Sequence, residues 1–407
     1  MGGSEGVKER EDASRQAKAG KEKGQVDSFS RHRLGCGKKH PGDPIRRRNG
    51  RMITAKRLLF TGTVAAIGGV SFFLLGLPLP FLLGSMSATA LLQTLRSDPL
   101  PVPQGVTQFA QALIGVSIGF SFSLSFHQSL IGLAVPLIVY LLAIMVLGFV
   151  SGYLLFKLSD LDGMTALFCC VPGGASEMIS YSEAYGADSR IVATYHTARI
   201  VLIIVSMSFL APWLAGGPGG EAITGGAEPS IGLGASWTPL LLLIGTLAWW
   251  LSTRIRFRAA SFLLAVLLGV IGNGVWFHLD KAPLSYTMIG QMLLGVSVGS
   301  KFDRATWIRI VRLGKTMMLV MIFTLLISLG LGYLFYRVTS AGLVTSLLAT
   351  IPGGAAEMAT IALTLGCDVT LVAAIQMVRL FTMFLVAPGM TIWLGRRLAA
   401  RGTEGKG

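Results

Sequence analysis

Charged side chains are scarce in this sequence. Asp, Glu, Lys and Arg make up 14% of its 407 residues, where a soluble domain carries about 25%, so an ordinary water-soluble domain is excluded. Metal-ligating side chains are few and badly spaced. His127, His196 and His278 lie in different segments, and the other two histidines lie near the N-terminus. Of the four cysteines, Cys36 is N-terminal, Cys169 and Cys170 are adjacent, and Cys367 stands alone. That spacing supports neither a disulfide framework nor a metal centre, and no cofactor is expected. No full Gly-x4-Gly-Lys-Ser/Thr phosphate-binding loop is present, and the Gly115-x-Ser117-x-Gly119 run and its copy read as small-residue helix faces rather than nucleophile elbows at a strand-to-helix turn, so an enzyme is not expected. No stretch alternates apolar with polar residues as β-barrel spans do. The basic N-terminal stretch lacks the apolar core of a signal peptide.

Apolar residues are abundant instead. They make up 52% of the chain, with a mean hydropathy of +0.64. They gather into twelve runs, most of them near the roughly 20 residues a helix needs to cross a bilayer core. The class is an all-α polytopic membrane protein. The formal charge of +15 is unevenly placed, more than half of it lying in the first 57 residues, in runs such as Lys38-Lys39 and Arg46-Arg47-Arg48. With few large apolar residues, residues 1–55 read as a disordered basic tail. It serves as a positive-inside anchor beside an anionic leaflet, with lipid or nucleic-acid binding as the other reading. Met52, just ahead of Lys56, Arg57 and the first apolar run, offers an alternative translation start.

The chain repeats itself. Val171-Pro172-Gly173-Gly174-Ala175-Ser176-Glu177-Met178 returns as Ile351-Pro352-Gly353-Gly354-Ala355-Ala356-Glu357-Met358. At the same register Gly186 matches Gly366, Asp188 matches Asp368 and Arg199 matches Arg379. Gln111, Gly115, Ser117 and Gly119 match Gln291, Gly295, Ser297 and Gly299. The halves are residues 56–215 and 236–398, joined by a Gly-rich linker at 216–235 and followed by a short basic tail at 399–407. Internal repeats of this kind mark many secondary transporters.

Topology follows from the basic residues, which favour the cytoplasmic side. The N-terminal tail, the Arg254-Arg256-Arg258 loop, the Lys301 to Lys315 loop and the C-terminal arginines should all lie inside. The linker, which has no Lys or Arg, should lie outside. Twelve full spans put the linker and both basic loops on the wrong side. If the Pro-Gly-Gly segment of each half does not fully cross, every loop falls correctly. The expectation is therefore two inverted repeats of about five spanning helices each, plus one Pro-Gly-Gly broken or re-entrant element per half. A straight twelve-span chain is the alternative. Both termini are then cytoplasmic, in the inner (plasma) membrane.

The candidate site lies at the two breaks. Pro172 lacks an N–H and disfavours helix before it. Gly173 and Gly174, like Gly353 and Gly354, open backbone angles closed to other residues. Interrupted backbone at membrane depth is tolerated only inside protein or facing water. A helix restarting there points free N–H groups and a positive end into the gap. Glu177 and Glu357 fall in those first turns. They read either as carboxylates for a cation or proton or as caps of their own half-helices. Arg199 and Arg379, deep in the last long helix of each half, need partners. Glu177 and Glu357 are the nearest candidates, and an anionic ligand is the alternative. His196 and Gln376, one turn earlier, read as hydrogen-bonded packing residues. Gln111 and Gln291 could add polar contacts to a cavity, though close helix packing explains their small-residue faces better. Asp188 and Asp368 read as helix N-caps.

The duplicated Pro-Gly-Gly-Ala-x-Glu-Met motif, the later Arg199 and Arg379, and the Ala211-Pro212 and Ala387-Pro388 helix ends resemble the AbrB-type duplicated membrane protein family. The resemblance runs from about Lys56 to Arg397. Arg199 to Pro212 is four residues longer than Arg379 to Pro388, so the halves are not equivalent at that end. Members carry labels such as ammonia monooxygenase or regulator of gene expression. The small soluble DNA-binding regulator that shares the name does not look like this chain. The family is grouped with cation–proton antiporter and bile-acid-transporter-like folds, which implies inverted repeats with discontinuous helices. The function expected is a secondary transporter or exporter of a small solute, with proton or sodium coupling open. A membrane sensor that regulates gene expression is the alternative, and a monooxygenase-type enzyme ranks third. The partners expected are a small solute or ion and the lipid bilayer, without direct nucleic-acid contact. Homo-oligomer formation is left open.

Overall fold

The computed structural model describes residues 44–96, 102–122, 132–216, 237–255, 260–274, 283–312 and 314–404. Nearly all of the described residues belong to one compact unit, residues 57–407. The expected disordered tail falls mostly on residues 1–43, and nearly all of the Gly-rich linker on 217–235. Both lie outside the described residues.

All regular structure among the described residues is helical. The first half contains α1 (Pro44–Leu74), α2 (Pro80–Leu95), α3 (Gln104–Gly119), α4 (Ala134–Leu158), α5 (Gly163–Cys170), α6 (Ala175–Ala184) and α7 (Ser189–Ala215). The second half contains α8 (Thr238–Ser252), α9 (Ala260–Gly272), α10 (Leu284–Gly299), α11 (Arg304–Arg312), α12 (Gly314–Val338), α13 (Leu343–Thr350), α14 (Ala355–Leu365) and α15 (Val369–Glu404). Five helical stretches are long and apolar enough to cross a membrane: Arg57–Leu74, Ala134–Leu158, Ser189–Ala215, Gly314–Val338 and Val369–Val386. Helices α2, α3 and α10 have 16 residues each and rise only about 24 Å.

Three boundaries differ from those expected. Helix already begins at Pro44, inside the stretch read as tail, because proline suits a first helical position and its missing N–H costs nothing there. At the other end α15 continues to Glu404, through most of the stretch read as a C-terminal tail. The basic loop from Lys301 contains a nine-residue helix, α11, whose start is capped by Asp303 accepting the Thr306 N–H at 2.7 Å.

The outer faces suit lipid rather than water. Along α4, Val135, Ile138, Val139, Leu142 and Val146 are all exposed. A contiguous apolar surface of that extent is rare on a soluble monomer.

The two halves pack by exchange. Helix α3 packs on α9, and α10 packs on α2. A Cβ at Gly115 would strike Phe262, Ala265 and Val266, while one at Gly295 would strike Leu82, Ser85 and Met86. Those partners match at the same offset that carries Pro172 onto Pro352, so the two crossings reproduce each other residue for residue. Both depend on glycine, because the backbones approach too closely for a side chain. Helices α4 to α7 and α12 to α15 form a second group, in which α5 packs on α4, α7 and α15, and α13 packs on α12, α15 and α7. The groups meet where α3 lies against α14 and α15.

Candidate functional site at the paired helix breaks

Each half interrupts a helix at its Pro-Gly-Gly. Helix α5 ends at Cys170 and α6 starts at Ala175. Helix α13 ends at Thr350 and α14 starts at Ala355. Gly174 and Gly354 are the N-caps, both in extended backbone. The breaks are local and repeated, with Gly173 donating to the Val171 carbonyl at 2.9 Å and Gly353 to Ile351 at 2.8 Å.

The two breaks share one small cavity of about 70 Å³. Pro172, Gly173, Gly174, Ala175, Arg199 and Ile200 line it from one half, and Pro352, Gly353, Gly354, Ala355, Arg379 and Leu380 from the other. These are the same six positions twice. The wall carries two guanidinium groups and the N-terminal ends of α6 and α14, with no carboxylate among the lining residues.

The cavity therefore gathers six residues of the expected site, Gly173, Gly174, Gly353, Gly354, Arg199 and Arg379, but not the two glutamates. Glu177 and Glu357 are the third residues of their helices. Each carboxylate folds back over its own N-cap, so that a Cβ on Gly174 or Gly354 would run into it. Glu357 accepts its own backbone N–H and feels Lys301 electrostatically. At this third helical position the helix dipole favours negative charge.

The expected Arg–Glu pairing does not form. Arg379 donates to the carbonyls of Ile351 at 2.9 Å and Gly353 at 2.8 Å, stitching the end of α13, and Tyr140 lies against it. Carbonyls freed at a helix end are natural partners for a cation, and they lie closer to the guanidinium than the carboxylate beyond the break. Arg199, equally buried at 6% exposure, is used differently. It donates to His196 Nδ1 at 3.0 Å, and its Nε is buried without a partner. The position matching Tyr140 is Val320, which has no hydroxyl to offer. The halves are thus alike in backbone but unlike in how they use their arginines.

The matched pair beside the arginines does repeat. His196 Nε2 binds the Phe168 carbonyl at 2.9 Å, and Gln376 Nε2 binds the equivalent Leu348 carbonyl at 2.8 Å. With Nε2 donating, Nδ1 is the acceptor that receives Arg199. Asp188 accepts from the Arg190 and Ile191 N–H groups, and Asp368 from that of Leu371, so both act as N-caps. Gln291 is buried and donates to Thr364 Oγ1 at 3.1 Å, while Gln111 is half-buried on α3. Neither lines the cavity. Among the described residues, no three His, Cys, Asp or Glu side chains are grouped to hold a metal ion. Tyr140 and Ile200 escaped the sequence reading because nothing distinguishes them from other residues of apolar runs.

Fold and cavity together define a protein of membrane type, helical throughout its described regular structure, whose matched halves line one small cavity. A family model described as "Transition state regulatory protein AbrB" matches residues 40–395, and the chain belongs to that AbrB family. Among its relatives is a Bacillus subtilis (strain 168) protein named "Uncharacterized protein YhjN", 27% identical over 350 residues, which span 80% of this chain and 90% of the relative. Another is the Escherichia coli (strain K12) protein named "Putative regulator AbrB", 28% identical over 325 residues, spanning 79% of this chain and 91% of the relative. No solved structure matches.

Proposed function

We propose that this chain is a secondary transporter or exporter of a small solute, with its site in the cavity between the two Pro-Gly-Gly breaks. The observation that carries this reading is the lining: six positions of one half and the same six of the other enclose one space. Duplicated halves meeting at interrupted helices near the bilayer midplane are the basis of alternating access. In this reading the halves are inverted, the broken elements re-enter rather than cross, both termini face the cytoplasm and the membrane is the plasma membrane. The reciprocal α3–α9 and α10–α2 crossings fit a two-fold relation between the halves, because they give each half the same contacts with the other.

The test is flux in proteoliposomes of the full chain under imposed sodium, proton and solute gradients. The readout compares wild type with Ile200→Trp, which fills the cavity from its wall. Flux in wild type that falls at least tenfold in a well-folded Ile200→Trp supports the reading. Equal flux in both would take the site away from this cavity. A regulatory role is the second reading, and it draws on the name of the Escherichia coli relative. Deleting residues 1–51 distinguishes the two, since a regulator acting through its tail loses its effect on gene expression while flux persists.

A further inference from the structure

We infer that the ligand of this cavity is a small carboxylate, held by Arg199, and that Arg379 is not its partner but a fixed part of the wall. The inference rests on the transport site proposed above and adds the chemical class of its ligand.

Four observations lead to it. First, the lining has two guanidinium groups and no acidic side chain, so a cation entering it meets repulsion from the wall. Second, the two carboxylates nearest by sequence lie over the N-caps of their own helices and do not line the cavity. Third, Arg379 has spent two donors on the Ile351 and Gly353 carbonyls, whereas Arg199 has one bond to His196 and a buried Nε without a partner. A buried guanidinium with an idle donor is costly, and an anion beside it would offset that cost. Fourth, α6 and α14, of 10 and 11 residues, both begin at the cavity wall, where their dipoles favour negative charge.

Size and charge narrow the class. A space of about 70 Å³ suits a small ligand. Arg379 is already held by two carbonyls, which leaves one guanidinium, that of Arg199, to hold one carboxylate. The planar fork of an arginine matches the two oxygens of a carboxylate. His196 fixes that fork from behind, because its Nε2 is held by the Phe168 carbonyl and only Nδ1 faces Arg199.

The experiment is a thermal melt of the purified full chain in detergent, titrated with sodium formate, acetate, lactate and pyruvate against sodium chloride at equal ionic strength. At least one carboxylate should raise the melting temperature of wild type saturably and beyond chloride. Arg199→Gln should abolish that rise. Arg199→Lys keeps the charge but loses the fork, and should weaken half-saturation at least tenfold. If Arg199→Gln does not fold, Arg199→Lys and Ile200→Trp carry the test. No carboxylate-specific rise in wild type, an undiminished rise in Arg199→Lys, or stabilisation by sodium whatever the anion would each overturn the inference. Carboxylate binding without any flux would overturn the transporter reading alone. Flux unaffected by carboxylates and by Arg199→Lys would overturn the ligand assignment alone.

Discussion

Arg199 and Arg379 occupy the same place in two copies of one motif and do different work. Arg379 completes carbonyls that the break in its half leaves open, and the Gly353 carbonyl has it as a partner at 2.8 Å. Removing the donor strands a buried acceptor, which costs about 1–3 kcal/mol. Arg379→Gln should therefore lower the melting temperature of the purified chain well below that of Arg199→Gln, which gives up a single bond to His196. Equal losses would mean that Arg199 is as structural as its counterpart. The capping reading of the acidic pair makes its own prediction. Glu357→Ala should cost about 0.5–1.5 kcal/mol, as loss of one hydrogen bond does, and Glu357→Gln clearly less, since an amide oxygen still accepts the backbone N–H. A melt that leaves Glu357→Ala unshifted would show that the carboxylate is not needed at its helix start.

Helices in this protein are set by a few local signals and packed by glycine. The Pro-Gly-Gly breaks, the Asp188 and Asp368 caps and the long apolar stretches can all be read directly from residue order, because each acts within one or two turns. The register of the crossings cannot. It is decided by how closely two backbones approach, as at Gly119, where a Cβ would lie 2.5 Å from the Val266 carbonyl oxygen and 2.7 Å from Gly269 Cα. Gly119→Ala and Gly299→Ala should each cost about 1–3 kcal/mol through overpacking, measured by thermal melt. Gly330→Ala, where a Cβ meets nothing within 4 Å, should be neutral or stabilise by roughly 0.5–1 kcal/mol. Destabilisation at Gly330 equal to that at Gly119 would remove the packing argument. Helix α11 escaped the sequence reading for a related reason. Its nine residues are Arg-rich, and Trp307, Ile308 and Val311 are exposed, so its composition reads as loop while Asp303 caps it into a helix.

Across the whole molecule, the matched halves meet reciprocally, and the proposed inversion has one direct consequence. Asp160, between α4 and α5, and Ser340, between α12 and α13, are matched, exposed positions. In inverted halves they lie on opposite sides of the membrane. In a straight twelve-span chain they lie on the same side. With Cys36 and Cys367 replaced, a membrane-impermeant maleimide added to intact cells should label Ser340→Cys from outside, and Asp160→Cys only after permeabilisation. Labelling of both from the same side would end the inverted model and, with it, the structural basis proposed for alternating access.

Residue order by itself determined that the chain is helical and apolar, that it is duplicated, where each half is interrupted and which residues stand at the interruption. These follow from composition, from the missing N–H of proline, and from a motif repeated in register. Only the tertiary structure decided that both breaks open onto one cavity, that each glutamate turns back on its own helix, and that one arginine is committed while the other keeps unused donors. Sequence spacing set the Arg–Glu pairs as the nearest partners, but partners inside a helix bundle are chosen by which donors and acceptors reach one another. At Arg379 the carbonyls of Ile351 and Gly353 are within reach. At Arg199 the neighbour is an imidazole nitrogen, and the matched Val320 supplies no hydroxyl.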